Sequence, residues 1–358
     1  MLEPLRIPKV YAITHPLEAE PFSTRAYLFV ADAGNALVDP LPLDDSTRAQ
    51  IEQLGGIARV VVMTPERRGA AEGIATRYSS DVVAEPAHRE PLFAGAVAIR
   101  LAHQRRSHEF AISIPAIRAV VAGDSLVGIP AGALSMSPEG DYADARKAAL
   151  GLRAILRENP DALLLTSGQP IFTGAYAALY RTLYERAGAE IHRINLDELD
   201  VRDERGERVE QPSIYHIRDA EVGFVVGARR LGYRVSTLGP GRRFCPLHSH
   251  AREEELFFVL EGQPSVRTLA GTIRCRKGDF IAFPVGASGT HQLVNESDAP
   301  ATVMLLARSE DVEACYYPDS DKLLLDTDVP IAEGVDSFIV AASPQLDYFH
   351  GEDQQRQP

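Results

Sequence analysis

Patterns of apolar and polar positions divide the first half of the chain into short elements. Two apolar segments around a turn at 32–35 predict a β-hairpin over residues 26–39. The other predicted elements here are a helix from Asp45 or Ser46 to Gly55-Gly56, strands at 59–64, 82–84, 96–101, 110–114, 119–122 and 162–166, and helices at 143–156 and 174–187. This mixture predicts an α/β domain over residues 1–190.

The second half alternates between apolar and polar positions, and no long helix interrupts the pattern. Its predicted strands are 213–217, 222–228, 232–238, 255–260, 265–269, 272–274, 279–283, 291–295 and 301–307. Short strands at regular spacing are typical of a barrel or jelly roll, so an all-β domain is predicted over residues 213–348. The charged segment 191–212 predicts a linker or lead-in strand, and the polar residues 349–358 predict a frayed tail.

The composition is that of a globular protein with 45% hydrophobic and 24% charged residues. A net charge of −13 at pH 7 repels phosphate backbones, so no nucleic-acid partner is expected. No stretch approaches the roughly 20 apolar residues that cross a bilayer, and no signal peptide is visible. We therefore expect no membrane partner and a cytoplasmic location, with reduced thiols at Cys245, Cys275 and Cys315.

Four potential metal ligands lie between Gly239 and Asn295. His248 and His250 are two residues apart, so on a β-strand both imidazoles point to the same face. Glu255 is on the inward-facing side of the next strand, and His291 lies on a later strand. Three imidazoles and one carboxylate suit Mn, Fe, Co, Ni, Cu or Zn, so one divalent transition metal of unknown identity is predicted.

The order of these residues, with their glycines and prolines, resembles the two signature motifs of the cupin superfamily. The first motif is matched by Gly239, His248-Ser249-His250, Glu255 and Gly262, and the second by Gly278, Pro284, Gly286, His291 and Asn295. Four residues instead of the usual two separate Gly286 from His291, as in an uncharacterised group of bacterial cupins. The resemblance implies an antiparallel double-stranded β-barrel, or jelly roll, whose metal ligands are His248, His250, Glu255 and His291.

The first half resembles the metallo-β-lactamase fold, an αββα sandwich. The likeness rests on Asp39 after the second strand, Thr64 after a buried third strand, and the segments Gly123-Asp124-Ser125-Leu126 and Ser167-Gly168-Gln169. Where that family carries Thr-His-x-His-x-Asp-His, this chain has Thr64-Pro65-Glu66-Arg67-Arg68-Gly69-Ala70. None of Pro65, Arg67, Gly69 and Ala70 is an ordinary zinc ligand. The resemblance therefore implies a metal-free domain without metallo-β-lactamase-type hydrolase activity.

Two classes of function remain open for the second domain. Four protein ligands leave room on a metal for water or substrate, which suits an enzyme acting on a small polar molecule by isomerisation, decarboxylation, hydrolysis or dioxygenation. The alternative is non-catalytic binding of a metal or small molecule, with the first domain as a scaffold or partner surface. The side chains expected to help line the pocket are Phe257, Arg267, Phe283 and Gln292.

Both faces of the predicted strand 255–260 are apolar. Leu256, Phe258 and Leu260 lie on the face opposite Phe257 and Val259. A strand that is buried on both sides of a single barrel needs a second layer outside it. We therefore predict a homodimer through the second domain, and many cupins are dimers.

Overall fold

The structure, a computed structural model, describes residues 1–16, 23–204, 212–327, 337–344 and 346. Contacts divide the chain into one unit of Met1–Ile194 with Phe224–Gly227 and a second unit of Asn195–Gly223 with Ala228–Pro358. The first boundary, between Ile194 and Asn195, falls inside the segment 191–212. The predicted tail, 349–358, lies outside the described residues. No helix in the described ranges is both long and apolar enough to span a bilayer.

The first unit contains two large sheets. One sheet has the order β1-β2-β3-β4-β5-β6, with the strands β1 (Glu3–Pro4), β2 (Val10–Pro16), β3 (Ser23–Phe29), β4 (Ala36–Val38), β5 (Arg59–Val62) and β6 (Asp81–Ala84). The other has the order β13-β10-β9-β8-β7, with the strands β7 (Pro91–Phe93), β8 (Ala96–Arg100), β9 (Phe110–Ile114), β10 (Ala119–Ala122) and β13 (Ala162–Leu165). A small ribbon pairs β11 (Leu126–Val127) with β12 (Ser135–Met136).

Helices cover the outer faces of these sheets. They are α1 (Asp45–Gln53), α2 (Arg68–Tyr78), α3 (Ala145–Gly151), α4 (Arg153–Leu156) and α5 (Ala175–Ala187). Residues of both sheets, such as Tyr27 and Ile112, share one core cluster between the sheets. The opposite face of the first sheet packs on α1 and α2, and that of the second on α3 to α5. The layer order is thus helix, sheet, sheet, helix.

Most elements of the first unit form where the sequence predicts them. The hairpin of β3 and β4 pairs Tyr27 with Val38 across the predicted turn. Helix α1 begins after Asp44, whose carboxylate accepts a hydrogen bond from the Thr47 N–H at 2.6 Å and caps the first turn. The predicted helix at 143–156 is divided at Leu152 into α3 and α4.

The second unit is built from β-strands in three sheets. Its strands are β14 (Arg202–Glu204), β15 (Ile217–Glu221), β16 (Leu231–Leu238), β17 (Ser249–His250), β18 (Glu255–Glu261), β19 (Ser265–Thr268), β20 (Gly271–Arg274), β21 (Phe280–Phe283), β22 (His291–Val294), β23 (Ala301–Arg308), β24 (Val312–Tyr317), β25 (Lys322–Thr327) and β26 (Ser337–Ala341). The three sheets have the orders β14-β15-β16-β23-β18-β21, β17-β24-β25-β26 and β20-β19-β22.

Inward-facing residues of these sheets share one apolar core. It contains Ile217, Leu238, Phe257, Val259, Val266, Cys275, Phe283, Leu293, Val303 and Leu305. Phe257 and Val259 are completely buried, as their predicted inward orientation requires. Among the described residues, every strand pairing in the second unit is antiparallel, like the pairing of β16 with β23 and of β18 with β23. This arrangement is a β-sandwich of the jelly-roll type.

Two of the predicted strands are wrong. The segment 213–217 forms a short 3-10 helix at Ser213–Tyr215, since the Tyr215 N–H bonds to the Pro212 carbonyl, and the strand begins only at Ile217. The segment 222–228 contains a single helical turn, α6 (Gly223–Val226). An apolar run of this length is compatible with a helix or a strand, and Gly227, with φ of +90°, ends the turn. The segment 191–212 contributes β14, which pairs with β15.

Two turn glycines of the second unit provide a matched test of the fold. Both Gly262 and Gly278 have positive φ, +85° and +93°. A Cβ at Gly262 would lie 2.7 Å from the Ala301 Cα, whereas one at Gly278 would meet no atom within 4 Å. We expect Gly278→Ala to destabilise the second unit by about 1–2 kcal/mol through backbone strain alone. Gly262→Ala should cost at least about 1 kcal/mol more because it also overpacks the turn. Equal losses in urea unfolding would contradict this packing.

Candidate metal centre

The two histidines of the first motif lie at one edge of the barrel. His250 is in β17, which pairs with β24 so that His250 is opposite Cys315. His248 precedes β17 and pairs with His291, the first residue of β22. Two main-chain hydrogen bonds form this bridge: the His248 N–H donates to the His291 carbonyl at 3.1 Å, and the His291 N–H donates to the His248 carbonyl at 2.9 Å. Main-chain pairing therefore brings two of the predicted ligands side by side.

The fourth predicted ligand, Glu255, is the first residue of β18. Its partners across the sheet are Phe283 of β21 and Ala307 of β23, so the carboxylate projects from a central strand. The alternation that buries Phe257 and Val259 turns Glu255 to the same inner face. The four side chains predicted from the sequence thus converge from three strands and one preceding residue.

Short distances connect the four side chains. The Nε2 atoms of His248 and His250 are 2.9 Å apart, and the Glu255 Oε2 atom lies 3.3 Å from His250 Nε2 and 2.9 Å from His291 Nε2. The potential ligand atoms of His248, His250 and Glu255 all lie within 4.8 Å of one another. His291 is next to this group because its Nε2 atom contacts the Glu255 carboxylate. Neighbouring ligand atoms about 2.1 Å from one metal in octahedral geometry are roughly 3 Å apart, so these separations fit a shared ion.

Unpartnered polar atoms give a second test of the fit. Glu255 Oε2 and His291 Nε2 are buried and lie 2.9 Å apart, yet neither makes a hydrogen bond of ordinary geometry within the described residues. Buried polar atoms are almost always satisfied, so two orphans that face each other indicate that a further group belongs between them. The donor set of imidazole nitrogens and a carboxylate oxygen suits a divalent transition metal.

Two imidazoles are oriented by main-chain carbonyls. His248 Nδ1 lies 3.0 Å from the Pro246 carbonyl, and His291 Nδ1 lies 2.9 Å from the Gly289 carbonyl. If Nδ1 donates to these oxygens, the lone pair of each ring is on Nε2, where the four side chains meet. This is the tautomer that metal binding requires.

Two predicted pocket residues form an aromatic wall behind His291. The Phe283 ring stacks on the His291 ring with centroids 3.8 Å apart, and Phe257 meets the same imidazole edge-to-face at 5.3 Å. His291 and Phe257 are completely buried and Phe283 is 5% exposed. These phenylalanines therefore fix the imidazole and keep water from one side of the site.

The other two predicted pocket residues are placed differently. Arg267 and Gln292 are opposite each other on β19 and β22, and strand alternation puts Gln292 on the face away from His291. Arg267 makes two hydrogen bonds to the Asp319 carboxylate, at 2.6 and 2.8 Å, and Gln292 donates to the Cys245 carbonyl at 2.7 Å. The structure does not bring these two side chains to the ligand cluster.

Burial and charge shift the pKa values of the ligands in opposite directions. Burial, together with the neighbouring His291 and His250, lowers the pKa of His248 to about 4. Burial opposes protonation of His250 as well, but the hydrogen bonds and charges of Cys315 and Glu255 outweigh it and raise the pKa of His250 to about 10. The pKa of Glu255 is held well below its usual range because its imidazole partners overcome the effect of burial.

Three residues beside the ligands were not predicted from the sequence. Glu313, Cys315 and Tyr317 alternate along β24, and they approach His250, His250 and His248, respectively. The alternation of Glu, Cys and Tyr at 313, 315 and 317 was visible in the sequence. This alternation places the three side chains beside the histidines only because β24 pairs with β17, and the sequence does not predict that pairing.

Cys245 also lies close to the candidate ligands. Its Sγ atom is 3.5 Å from His248 Nδ1, and burial raises the pKa of the thiol well above its ordinary value. All three cysteines are free thiols, as predicted. A neutral Cys245 thiol beside His248 Nδ1 contacts the nitrogen that faces away from the cluster.

Part of the second unit is similar to known proteins. Residues 234–307 match the cupin domain family model. A germin-like protein of Arabidopsis thaliana, subfamily 2 member 1, is 34% identical over 101 residues, which cover 26% of this chain and 45% of that protein. The match thus spans less than half the length of this relative.

Solved structures also match part of the chain. One is a sugar phosphate isomerase from a cupin superfamily of Silicibacter pomeroyi, with 23% identity, coverage of 44% of this chain and 97% of that chain, and a TM-score of 0.37. Another is a polyketide cyclase from Streptomyces resistomycificus, with 20% identity, coverage of 33% and 79%, and a TM-score of 0.28.

The raised pKa of His250 leads to a prediction about metal uptake. At neutral pH the metal-free ring is protonated, because its pKa is about 10, whereas His248 is already neutral. A metal ligand must be unprotonated, so binding should release one proton and affinity should rise about tenfold per pH unit from neutral pH upward. Calorimetry in buffers with different ionisation enthalpies measures this release. No proton release at neutral pH would contradict the prediction.

Proposed function

Residues 234–307 form a cupin domain, and we propose that this domain is a metal-dependent enzyme acting on a small polar molecule. The observation that supports this most is the convergence of His248, His250, Glu255 and His291, with two buried atoms left without partners. Buried polar atoms without partners are costly, and a bound cation would satisfy them. The complete ligand set in this domain favours an enzyme over a structural module.

A divalent transition metal held by these four side chains would supply Lewis-acid or oxygen chemistry. The residues of the chain have separate parts in this proposal. Glu255 lowers the net charge of the loaded site, and the carbonyls of Pro246 and Gly289 hold His248 and His291 with Nε2 toward it. Phe257 and Phe283 exclude water behind His291, which strengthens the electrostatic interactions on the open side.

The alternative function is non-catalytic binding of a metal or small molecule. The experiment that separates the two is identification of the metal and of any small molecule that co-purifies, by plasma and organic mass spectrometry. A redox metal would favour oxygen chemistry, and Zn or Ni would favour Lewis-acid chemistry. A co-purified molecule that the metal-loaded protein leaves unchanged on prolonged incubation would favour the binding function.

For the first unit, we propose a degenerate metallo-β-lactamase-like scaffold that binds no metal. Its helix–sheet–sheet–helix layers agree with this, and so do its ion pairs. Arg106 bonds to both Glu66 oxygens at 2.9 and 3.0 Å and to Asp124 at 3.2 Å, and Arg67 Nε lies 3.9 Å from the buried Asp39. Guanidinium groups are thus the cationic partners of these three carboxylates, in a region where a metal would be the cation in an active metallo-β-lactamase.

Removing ligands tests both proposals in the full-length chain. We expect His250→Ala or His291→Ala to abolish most of the bound metal, because each removes one of the four donors. With both changes, no stoichiometric metal should remain anywhere in the protein, and plasma mass spectrometry measures it. His216→Ala, outside the cluster, is the control and should retain full metal. Unchanged metal in the single variants would contradict the cupin site, and one remaining equivalent in the double variant would contradict the metal-free first unit.

We also propose that the second unit forms a homodimer through the outer face of its large sheet. That face carries apolar residues on adjacent strands, namely Tyr233, Val235, Leu256, Phe258, Leu260, Phe280, Met304 and Leu306. The Phe280 side chain is 70% exposed, and its ring packs 4.4 Å from that of Phe258. Contiguous exposed apolar surface of this kind is typical of protein interfaces, and a second copy would supply the missing layer.

The dimer proposal makes a prediction about Phe280. Light scattering at micromolar concentration should give a dimer for the natural chain and a monomer for Phe280→Glu, because a buried unpaired charge opposes association. Leu269→Glu is the matched control, since Leu269 is 62% exposed but follows β19 in a different sheet, and it should remain dimeric. A monomeric natural chain would contradict the proposal.

A further inference from the structure

The three imidazoles of the site differ in what holds their second nitrogen. His248 and His291 each place Nδ1 against a carbonyl two residues earlier in the chain. His250 is the exception among them. Its Nδ1 faces ionisable side chains, namely the Cys315 thiol at 3.4 Å and the carboxylates of Glu313 at 3.5 Å and Glu253 at 3.7 Å.

Two of these groups come from β24, which follows the part of the chain that matches the cupin family model. The pairing of β17 with β24 sets His250 opposite Cys315, so the thiol reaches the ring from the neighbouring strand. Glu313 lies two residues earlier and has the same orientation. Both side chains are buried.

Glu313 is held rigidly in this position. Its Oε1 atom accepts a hydrogen bond from the Ala251 N–H at 2.8 Å, and its Oε2 atom accepts from the N–H groups of Arg252 at 3.1 Å and Glu253 at 3.0 Å. These bonds also fix the segment that follows His250. Within the described part of the chain, the ion pairs of Glu313 include His250 and no lysine or arginine. A buried carboxylate so placed is a fixed acceptor that favours a proton on the nearest nitrogen.

We propose that Glu313 and Cys315 are positioning residues for His250. They hold the proton on Nδ1, so Nε2, which faces Glu255 and His248, is the nitrogen that gives up its proton when a metal binds. Residues that orient the ring matter more at His250 than at His291, because the His250 side chain is 11% exposed at the edge of the barrel and His291 is completely buried. This inference rests on the proposed metal site. Partners of the second nitrogen of a ligating histidine typically change metal affinity by about 10–100-fold.

Zinc titration and nuclear magnetic resonance of the full-length protein test the inference. In the zinc-loaded natural chain, the His250 Nδ1–H proton should be protected from exchange with water. Glu313→Gln keeps the size of the side chain but loses its charge, so the affinity for zinc should fall by about 10–100-fold and this one proton should exchange faster. Glu313→Asp, which keeps the charge on a shorter side chain, should lose less. Cys315→Ala should weaken zinc binding more than Cys315→Ser.

The matched control is Glu310→Gln. Glu310 is a neighbouring carboxylate that is also largely buried, but it pairs with Arg252 and Arg308. Its loss should leave zinc affinity and the His250 proton unchanged. Glu313 also stabilises the fold through its hydrogen bonds to the N–H groups of residues 251–253. Unfolding of the metal-free variants, followed by circular dichroism, measures this loss of stability separately from the loss of zinc affinity.

Two outcomes would overturn the inference. One is unchanged zinc affinity in Glu313→Gln, and the other is a loss of affinity in which the Nδ1–H protons of His248, His250 and His291 all change together, as general loosening would produce. Failure of the proposed function has a different signature, since the natural chain and Glu310→Gln would then bind no zinc. In that case, exchange of the His250 proton in the metal-free protein still decides the positioning role.

Discussion

A buried carboxylate is the constraint on which the second unit depends. Glu255 lies at the inner face of a central strand, where an isolated negative charge would be very costly. Three imidazoles approach it, and they come from opposite ends of the matched segment. The arrangement is favourable only when β17, β18 and β22 are in register, so closure of the barrel and formation of the site are the same event. A cation among these side chains would then contribute directly to the stability of the fold.

The aromatic wall strengthens this dependence. Phe257 and Phe283 are part of the apolar core, yet both contact His291. The core residues that stabilise the barrel therefore also set the orientation of one ligand. They lower the local dielectric constant as well, which makes the interaction of the carboxylate with positive charge stronger than it would be in water.

Much of the site could be predicted from the sequence because local spacing determines it. The two-residue interval between His248 and His250, and the alternation along β18, are properties of single strands. The same rule shows why the expectation for Gln292 did not agree with the structure. Gln292 is adjacent to His291 and so faces the other side of β22. Strand alternation alone predicts that Gln292 and His291 lie on opposite faces of β22.

Glu313 and Cys315 could not be predicted in this way. Their positions depend on a pairing between β17 and β24 across more than sixty residues of sequence, about 62 for Ala251 and Glu313, and strand propensity says nothing about such partners. The short helix at Gly223–Val226 shows a related limit, since four to seven apolar residues fit either type of element. For Glu313 and Cys315 the decisive contacts are long-range.

The two units pair their acidic groups with different kinds of cation. In the first unit, Arg106 bridges the exposed Glu66 and the partly buried Asp124, so a fixed guanidinium lies between the two carboxylates. In the second unit, the ion pairs that Glu255 makes among the described residues are with imidazoles, whose protons a metal can displace. A guanidinium is not deprotonated in proteins and has no lone pair to offer, so it cannot become a metal ligand. A histidine that loses one proton can bind a metal.

The boundary of the family match therefore does not coincide with the boundary of the site. Residues 234–307 contain all four proposed ligands, but the environment of His250 is completed by β24, which lies beyond them. The identity of the ligands determines which metals can bind, whereas the partners of their outer nitrogens adjust ligand basicity and geometry. The proposed ligand set alone therefore does not determine the metal or the reaction of this domain. Segments such as β24, which the ligand motif does not include, also contribute to the environment of the site.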